Sequence, residues 1–399
     1  MLRITCHIHS FPFFELFHPR WPLSTVSDVA KRAGVSTMTV SRVINNSGYI
    51  SQETRERVEK AIAELGYVPN ALARSFRSKQ TCLLALVLPD ITNPFWTTIA
   101  RGVEDTASRN GFHVILCNTD ESPEKEANYI NVLLQRRVDG IIIAPTTNDK
   151  NRFLMLKRQA LPCVLLDRRV DGFKCDTVVS NGCEGAKKLT QHLLRLGYRR
   201  IAIVSGPLTI STAQERVEGY AQALQENQVP IDESLIVRDT YQQDSGYESV
   251  KQLLKQERRP EAIFAGNNFI AVGALHAIRE LGLRIPEDVA LVGFDDIPQG
   301  SLISPALTVV SQPAYEMGVA AADSLISRLS GKYRGKPRDI VVATSIIIRE
   351  SCGQVLEQTQ SASPVHWTLP SRSDSGGRDS DHRAGVTSGT GRSRRRIRV

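Results

Sequence analysis

The chain has 399 residues, of which 41 % are hydrophobic and 23 % charged, and a formal net charge of +8. That is chain enough for two or three domains with buried cores, at an ordinary globular composition. Its longest unbroken apolar run, Cys82-Leu83-Leu84-Ala85-Leu86-Val87-Leu88, is far short of the roughly 18 residues a membrane-spanning helix needs, so no membrane role is expected.

The charge is unevenly placed. Residues 23–80 carry nine Lys+Arg against five Asp+Glu, and residues 354–399 carry eight against four. The body between them is close to neutral, a pattern that suits a small nucleic-acid-binding module fused to a larger body. The seven cysteines form no C-x-x-C pair, which speaks against a disulfide framework or a zinc site and for a reducing cytoplasm. Cys82, Cys117 and Cys163 lie in apolar, strand-like runs and are expected to act as small buried hydrophobes.

Residues 1–22 are aromatic and His-rich. His7, His9, Glu15 and His18 interrupt any apolar core, so this stretch reads as an irregular extension rather than a signal peptide.

Residues 23–68 show three short helical patterns. Val26, Val29, Ala30 and Ala33 recur at helical spacing, and Thr25-x-x-Asp28 has the form of a capping box. Gly34 then suits a sharp turn of positive φ. A second helix is expected over 37–45, burying Val40, Val43 and Ile44, and a third begins after Ser51, burying Val58, Ile62 and Leu65. Two short helices joined by a glycine turn describe a helix-turn-helix, whose second helix enters the major groove. On that helix Thr37, Met38, Ser41, Arg42 and Asn45 point away from the apolar side. Arg42 suits a bidentate contact to guanine, Thr37 and Met38 base edges or a thymine methyl, and Ser36, Ser41 and Asn45 phosphates.

Ser27-Asp28-Val29-Ala30-Lys31-Arg32-Ala33-Gly34-Val35-Ser36 and Thr39-Val40-Ser41-Arg42-Val43-Ile44-Asn45 resemble the headpiece of the lactose-repressor (LacI/GalR) family of bacterial regulators. Gly66-Tyr67-Val68-Pro69-Asn70-Ala71-Leu72-Ala73-Arg74-Ser75 resembles that family's hinge, and the likeness runs from about residue 24 to 353. It implies a hinge over 69–80 that becomes helical on DNA, paired with its copy from a second subunit. Thr25, Asn70 and Ala73 then fall among the DNA contacts, and Phe76 falls on the apolar wedge that kinks the duplex, where the family more often has leucine.

From residue 81 onward apolar runs alternate with helical stretches. Strands are expected at 83–88, 113–117, 140–144, 164–166, 201–204, 262–265 and 289–292, and helices near 95–109, 124–137, 183–196, 213–227, 245–257 and 268–281. The alternation indicates an α/β fold of parallel sheets, and the strand count suits two lobes. Lobe 1 is expected over about 81–180 and 313–339, lobe 2 over about 181–312 and 340–353.

Such sheets bind ligands at the carboxyl ends of their strands. There lie Pro89-Asp90-Ile91-Thr92-Asn93-Pro94-Phe95-Trp96, Asp167-Arg168-Arg169, Asn267-Asn268-Phe269 and Phe294-Asp295-Asp296, with Arg216 near the start of a helix. Asp, Asn and Arg beside aromatic rings suit a polyhydroxylated ligand. The resemblance implies a two-lobed effector domain like periplasmic sugar-binding proteins. It places Phe95, Trp96, Asp167, Arg216, Asn267, Asp295 and Gln312 in the effector cleft. The family usually has Asn-Asp where this chain has Asn267-Asn268. Arg168, Arg169 and Arg216 together would favour a sugar acid or a phosphorylated sugar, unless they are consumed in salt bridges; Asp295-Asp296 would serve either a turn or the ligand.

No nucleophile elbow, phosphate-binding glycine loop or zinc-ligand cluster occurs, so neither catalysis nor a cofactor is expected. Residues 354–399, rich in Ser, Gly and Arg, read as a disordered tail without the heptad repeat of a tetramer-forming helix. The expectation is a cytoplasmic, dimeric regulator, most simply a repressor, that binds a near-palindromic double-stranded operator under control of a small sugar or sugar acid. The competing class is a transport sugar-binding protein, which would need a signal peptide and no reader helix.

Overall fold

The computed structural model describes residues 24–68, 80–297 and 304–354. The extension over 1–22, most of the hinge (with Asn70, Ala73 and Phe76) and nearly all of the tail lie outside them.

The first three helices are α1 (Val26–Ala33), α2 (Thr37–Ile44) and α3 (Gln52–Leu65). Each begins as expected. Thr25 and Asp28 form a reciprocal capping box, in which the Thr25 amide donates to Asp28 Oδ2 at 2.8 Å and the Asp28 amide to Thr25 Oγ1 at 3.3 Å. Ser36 Oγ accepts from the Thr39 amide and Ser51 Oγ from the Thr54 amide. Gly34 ends α1 at φ 66°, the left-handed conformation that turns the chain into α2. Val29, Val40 and Val58, one from each helix, are fully buried at the centre of this small core. Ile44, Ile62 and Leu65 are half-buried at its margin.

Two six-stranded sheets follow. The first contains β1 (Leu83–Leu88), β2 (His113–Asn118), β3 (Gly140–Ile143), β4 (Cys163–Leu166), β5 (Asp176–Ser180) and β11 (Asp339–Val342), in the order β11-β5-β4-β3-β1-β2, all parallel. The second contains β6 (Ile201–Ser205), β7 (Ile236–Arg238), β8 (Ala262–Ala265), β9 (Ala290–Phe294), β10 (Thr308–Ser311) and β12 (Ser345–Ile347). Its order is β12-β10-β9-β8-β6-β7, with β12 antiparallel to β10. Side chains alternate through each sheet. Leu84, Leu86 and Leu88 face one layer of helices, α4 (Pro94–Arg109) and α11 (Ala314–Leu329). Ala85 and Val87 face the other, built on α5 (Pro123–Gln135) and α6 (Leu154–Arg158). The second sheet is covered likewise by α7 (Gly182–Arg195) with α8 (Ser211–Glu226), and by α9 (Gln243–Leu254) with α10 (Asn268–Glu280).

Close helix contact in the first lobe depends on glycine. A Cβ on Gly102 would meet the Tyr315 carbonyl oxygen at 2.2 Å, and one on Gly318 would meet that of Ile99 at 2.2 Å. α4 and α11 therefore approach backbone to backbone at two reciprocal points.

The chain passes between lobes three times: after β5, after β10 and between β11 and β12. The last passage corrects the expected boundary. β11 pairs with β5 in the first sheet, so lobe 1 continues through Val342 rather than ending at 339. A second correction concerns Cys82. It is exposed, because it precedes β1 instead of lying within it, whereas Cys117 is buried and Cys163 half-buried.

Candidate functional site

A cleft lies between the lobes at the carboxyl ends of the strands. Asp90, Asn93, Phe95 and Trp96 reach it from the β1–α4 turn, Glu121 from beyond β2, and Asp167 with Arg168 from beyond β4. The second lobe supplies Thr212 and Arg216 from α8, Tyr241 and Gln242 after β7, Asn267 and Phe269 at the start of α10, and Asp295 after β9. Six of the seven expected cleft residues thus come together.

The seventh, Gln312, is not on the wall. Its Nε2 donates to Asp295 Oδ1 at 2.6 Å, so it steadies the carboxylate that is. Glu121, Thr212, Tyr241 and Gln242 were not foreseen. Each sits in a loop or first helical turn at a strand's carboxyl end, and the three-residue β7 that delivers Tyr241 is too short to stand out as a strand.

The aromatic residues are fixed by a helix start. Asn93 caps α4, its Oδ1 accepting from the Phe95 amide at 3.0 Å, and Pro94 takes the first helical position. Phe95 and Trp96 then meet edge to face with centroids 4.9 Å apart. In the second lobe the Arg216 guanidinium lies 4.0 Å from the Phe294 ring centroid and 5.5 Å from that of Tyr241. Its Nη1 donates to the Gly266 carbonyl at 2.5 Å.

The arginines answer the question the sequence left open. Arg168 is bidentate to Glu121 at 2.6 and 2.7 Å, and Arg169 to Asp339 at 2.8 and 3.1 Å. Both are salt-bridged. Asp296 is also consumed in structure, gripped by Arg349 at 2.7 and 2.8 Å, which leaves Asp295 to face the cavity. Asn267 caps α10 through the Ile270 amide and donates to the Tyr241 carbonyl, so the loop after β7 and the start of α10 are tied by one side chain.

Several buried atoms here bond to nothing among the described residues: Asp167 Oδ1, Arg168 Nε, Arg216 Nε and Gln312 Oε1. Orphaned buried polar groups are rare and call for a reason. Burial also raises the Asp167 carboxyl to about 6, against the pull of Arg216 and Arg168. Asp295 is raised for the same reason, with Arg216 and Gln312 opposing. An unbonded carboxylate oxygen, held reluctantly ionised beside aromatic faces, is ready to accept from a ligand hydroxyl.

The headpiece displays its expected surface. Met38 and Arg42 are exposed on α2, with Thr37 at its first turn. Thr25, Ser36 and Asn45 bond within their own helices; Asn45 Nδ2 donates to the Ser41 carbonyl at 2.7 Å. Among the described residues no helix is long and apolar enough to cross a membrane, and no cluster could hold a metal ion.

A helix-turn-helix and a two-lobed α/β body closing on a polar cleft define a ligand-responsive DNA-binding regulator. Residues 25–70 match the model for bacterial regulatory proteins of the lacI family, and residues 81–350 that for periplasmic binding proteins and the sugar-binding domain of the LacI family. The chain belongs to the LacI family of bacterial transcriptional regulators, and it is a regulator rather than an enzyme. It is 38 % identical over 329 residues to the ribose operon repressor of Halalkalibacterium halodurans, covering 82 % of this chain and 97 % of that protein. The transcriptional repressor PurR of Vibrio atlanticus is 36 % identical, over 79 % of this chain and 94 % of that one. Among solved structures, the lac repressor dimer bound to operator and the anti-inducer ONPF aligns with TM-score 0.73 at 29 % identity. That match covers 82 % of this chain and 99 % of that one. The cellobiose complex of the regulator CelR aligns with TM-score 0.64 at 34 % identity over the same shares.

Proposed function

We propose that the protein is a cytoplasmic, homodimeric repressor whose effector is a neutral sugar. The observation that carries the effector class is the charge balance of the cleft wall. Four carboxylates (Asp90, Glu121, Asp167 and Asp295) stand against two guanidinium groups, and one of those, Arg168, is already bidentate to Glu121. An anionic sugar acid or phosphate would meet surplus negative charge, whereas hydroxyl groups find acceptors at Asp167 and Asp295 and donors at Arg168 and Arg216. Phe95 and Trp96 suit the apolar face of a ring.

On the DNA side, two copies present α2 to half-sites related by the dimer axis. Arg42 reads guanine, while Thr37 and Met38 contact base edges. Thr25 and Ser36 cap the starts of α1 and α2, helix ends that favour the anionic phosphates, and Ser41 and Asn45 at the far end of α2 offer them further hydrogen bonds. The hinge residues Asn70, Ala73 and Phe76 complete the contact in the minor groove. Effector bound between the lobes favours one lobe arrangement, and operator affinity follows by linkage, typically about 1–3 kcal/mol.

A thermal-shift screen tests the effector class, with pentoses and hexoses set against the corresponding sugar acids and sugar phosphates. A neutral sugar should stabilise by RT ln(1 + [L]/Kd), about 2.7 kcal/mol at a hundredfold excess over Kd, and Arg216→Ala should abolish the shift. Stabilisation by the acids or phosphates alone would overturn the reading.

A further inference from the structure

Asn93 and Asn268 join the lobes by a reciprocal carboxamide pair. Asn93 Nδ2 donates to Asn268 Oδ1, and Asn268 Nδ2 donates to Asn93 Oδ1, both at 2.9 Å. The two side chains are 5 % and 2 % exposed. Asn93 caps α4 in the first lobe, and Asn268 opens α10 in the second. The Phe95 amide donates to Asn93 Oδ1, which fixes which end of that carboxamide is oxygen and hence the orientation of its partner. Both bonds are made by protein atoms alone.

We propose that this pair is a latch that holds the two lobes closed independently of effector, with Asn268 as the residue that sets the open–closed balance of the cleft. The argument is one of donors and acceptors. Two carboxamides face to face satisfy one N–H and one C=O on each side, so the contact costs little to bury. An aspartate at 268 could accept only from Asn93 Nδ2. It would set a carboxylate oxygen against Asn93 Oδ1, with a buried charge and no second donor. The latch therefore needs an amide at 268, and an isosteric acid breaks it. Opening disrupts two buried bonds at once, and their loss should move the open–closed ratio by roughly five- to 150-fold. Because the proposal concerns the lobes and not the ligand, it stands or falls separately from the effector class.

The test is small-angle scattering and amide hydrogen exchange on the full chain, without added sugar, at pH 8. Variants are Asn93→Ala, Asn268→Ala, the double variant and Asn268→Asp, each first checked for native unfolding cooperativity. A latch predicts a larger radius of gyration for both single variants, with faster exchange in the first turn of α10 for Asn93→Ala and in the first turn of α4 for Asn268→Ala, the helix starts whose own caps are untouched. The double variant should add little to either single, and Asn268→Asp, equal in size to the native residue, should open like Asn268→Ala. A closed, wild-type-like Asn268→Asp would mean that residue 268 acts by shape alone and would overturn the proposal. So would additive effects of the two alanine substitutions.

Discussion

Asp167 and Asp295 occupy the same place in the two lobes. Each follows the strand fourth from the far edge of its sheet (β4 or β9), and each adopts a left-handed backbone, at φ 63° and 68°. The Asp167 amide donates to the Val178 carbonyl on β5 at 2.7 Å, and the Asp295 amide to the Val310 carbonyl on β10 at 2.8 Å. Left-handed conformations are uncommon outside glycine but are several-fold enriched in aspartate. Here they turn two carboxylates, one per lobe, into a shared cleft. Backbone strain at equivalent points of a duplicated architecture is the kind that marks a binding site.

Effector binding should therefore depend on pH. Asp167 is raised to about 6 from 3.8, mainly by burial, so the folded protein holds its proton more tightly than the unfolded chain does. The stabilisation this brings is full below the unfolded value and is lost as pH rises through about 6. Ligand hydroxyls donating to the carboxylate favour its ionised form, so binding releases a proton near pH 6 and tightens as pH rises. Calorimetric titration with a stabilising sugar should give weaker binding at pH 5.5 than at pH 7.5, and Asp167→Asn should flatten that difference. Tighter binding at the lower pH would contradict the assignment.

Glu121→Gln should change which sugars bind. The substitution leaves Arg168, 4 % exposed, without its bidentate partner and removes one negative charge from the wall. We expect a lower melting temperature, since breaking a partly buried pair leaves an uncompensated guanidinium. Relative affinity should shift toward a sugar acid over the matching neutral sugar. Equal discrimination before and after the substitution would remove Glu121 as the source of selectivity.

Gly318→Ala probes the packing of α4 on α11. The added Cβ would lie 2.2 Å from the Ile99 carbonyl oxygen, a backbone atom that cannot swing aside. Overpacking of this kind costs about 1–3 kcal/mol, read as a lower urea midpoint with an unchanged slope. A wild-type midpoint would show that the helices separate at no cost.

Arg42→Ala should loosen sequence choice more than affinity. Loss of a bidentate guanine contact costs about 1–3 kcal/mol of discrimination at one position per half-site. Selection from randomised duplexes by the wild-type and variant proteins would show the preference vanish at that position alone. A uniform loss across sequences would instead assign Arg42 to the phosphates.

Much of this architecture could be read from local pattern. β1, β3, β4 and β8 are short apolar runs, and Thr25, Gly34, Ser36 and Ser51 announce the headpiece helices by capping chemistry that needs no tertiary partner. What stayed hidden depends on contacts distant in sequence. β11 shows alternating exposure at the sheet edge, and it is placed in the first lobe by pairing with β5, where the Thr177 amide meets the Arg338 carbonyl. β5, β7, β10 and β12 are only three to five residues long, and β5 and β10 begin with polar residues. In the cleft, Asp167 and Asp295 were legible as charged residues at strand ends, and Arg216 as one near the start of a helix. That Gln312 would serve Asp295, and that Glu121 would neutralise Arg168 from 47 positions away, were not.

The three passages between the lobes also bear on how the protein would survive damage. A protease cut at residues 343–344 severs only one of three tethers. The downstream piece would stay seated, because β12 pairs with β10 and the Ser351 hydroxyl bridges the Thr308 amide and the Leu291 carbonyl. Such a clipped molecule would still hold both halves of its cleft and would reveal the break only when denatured.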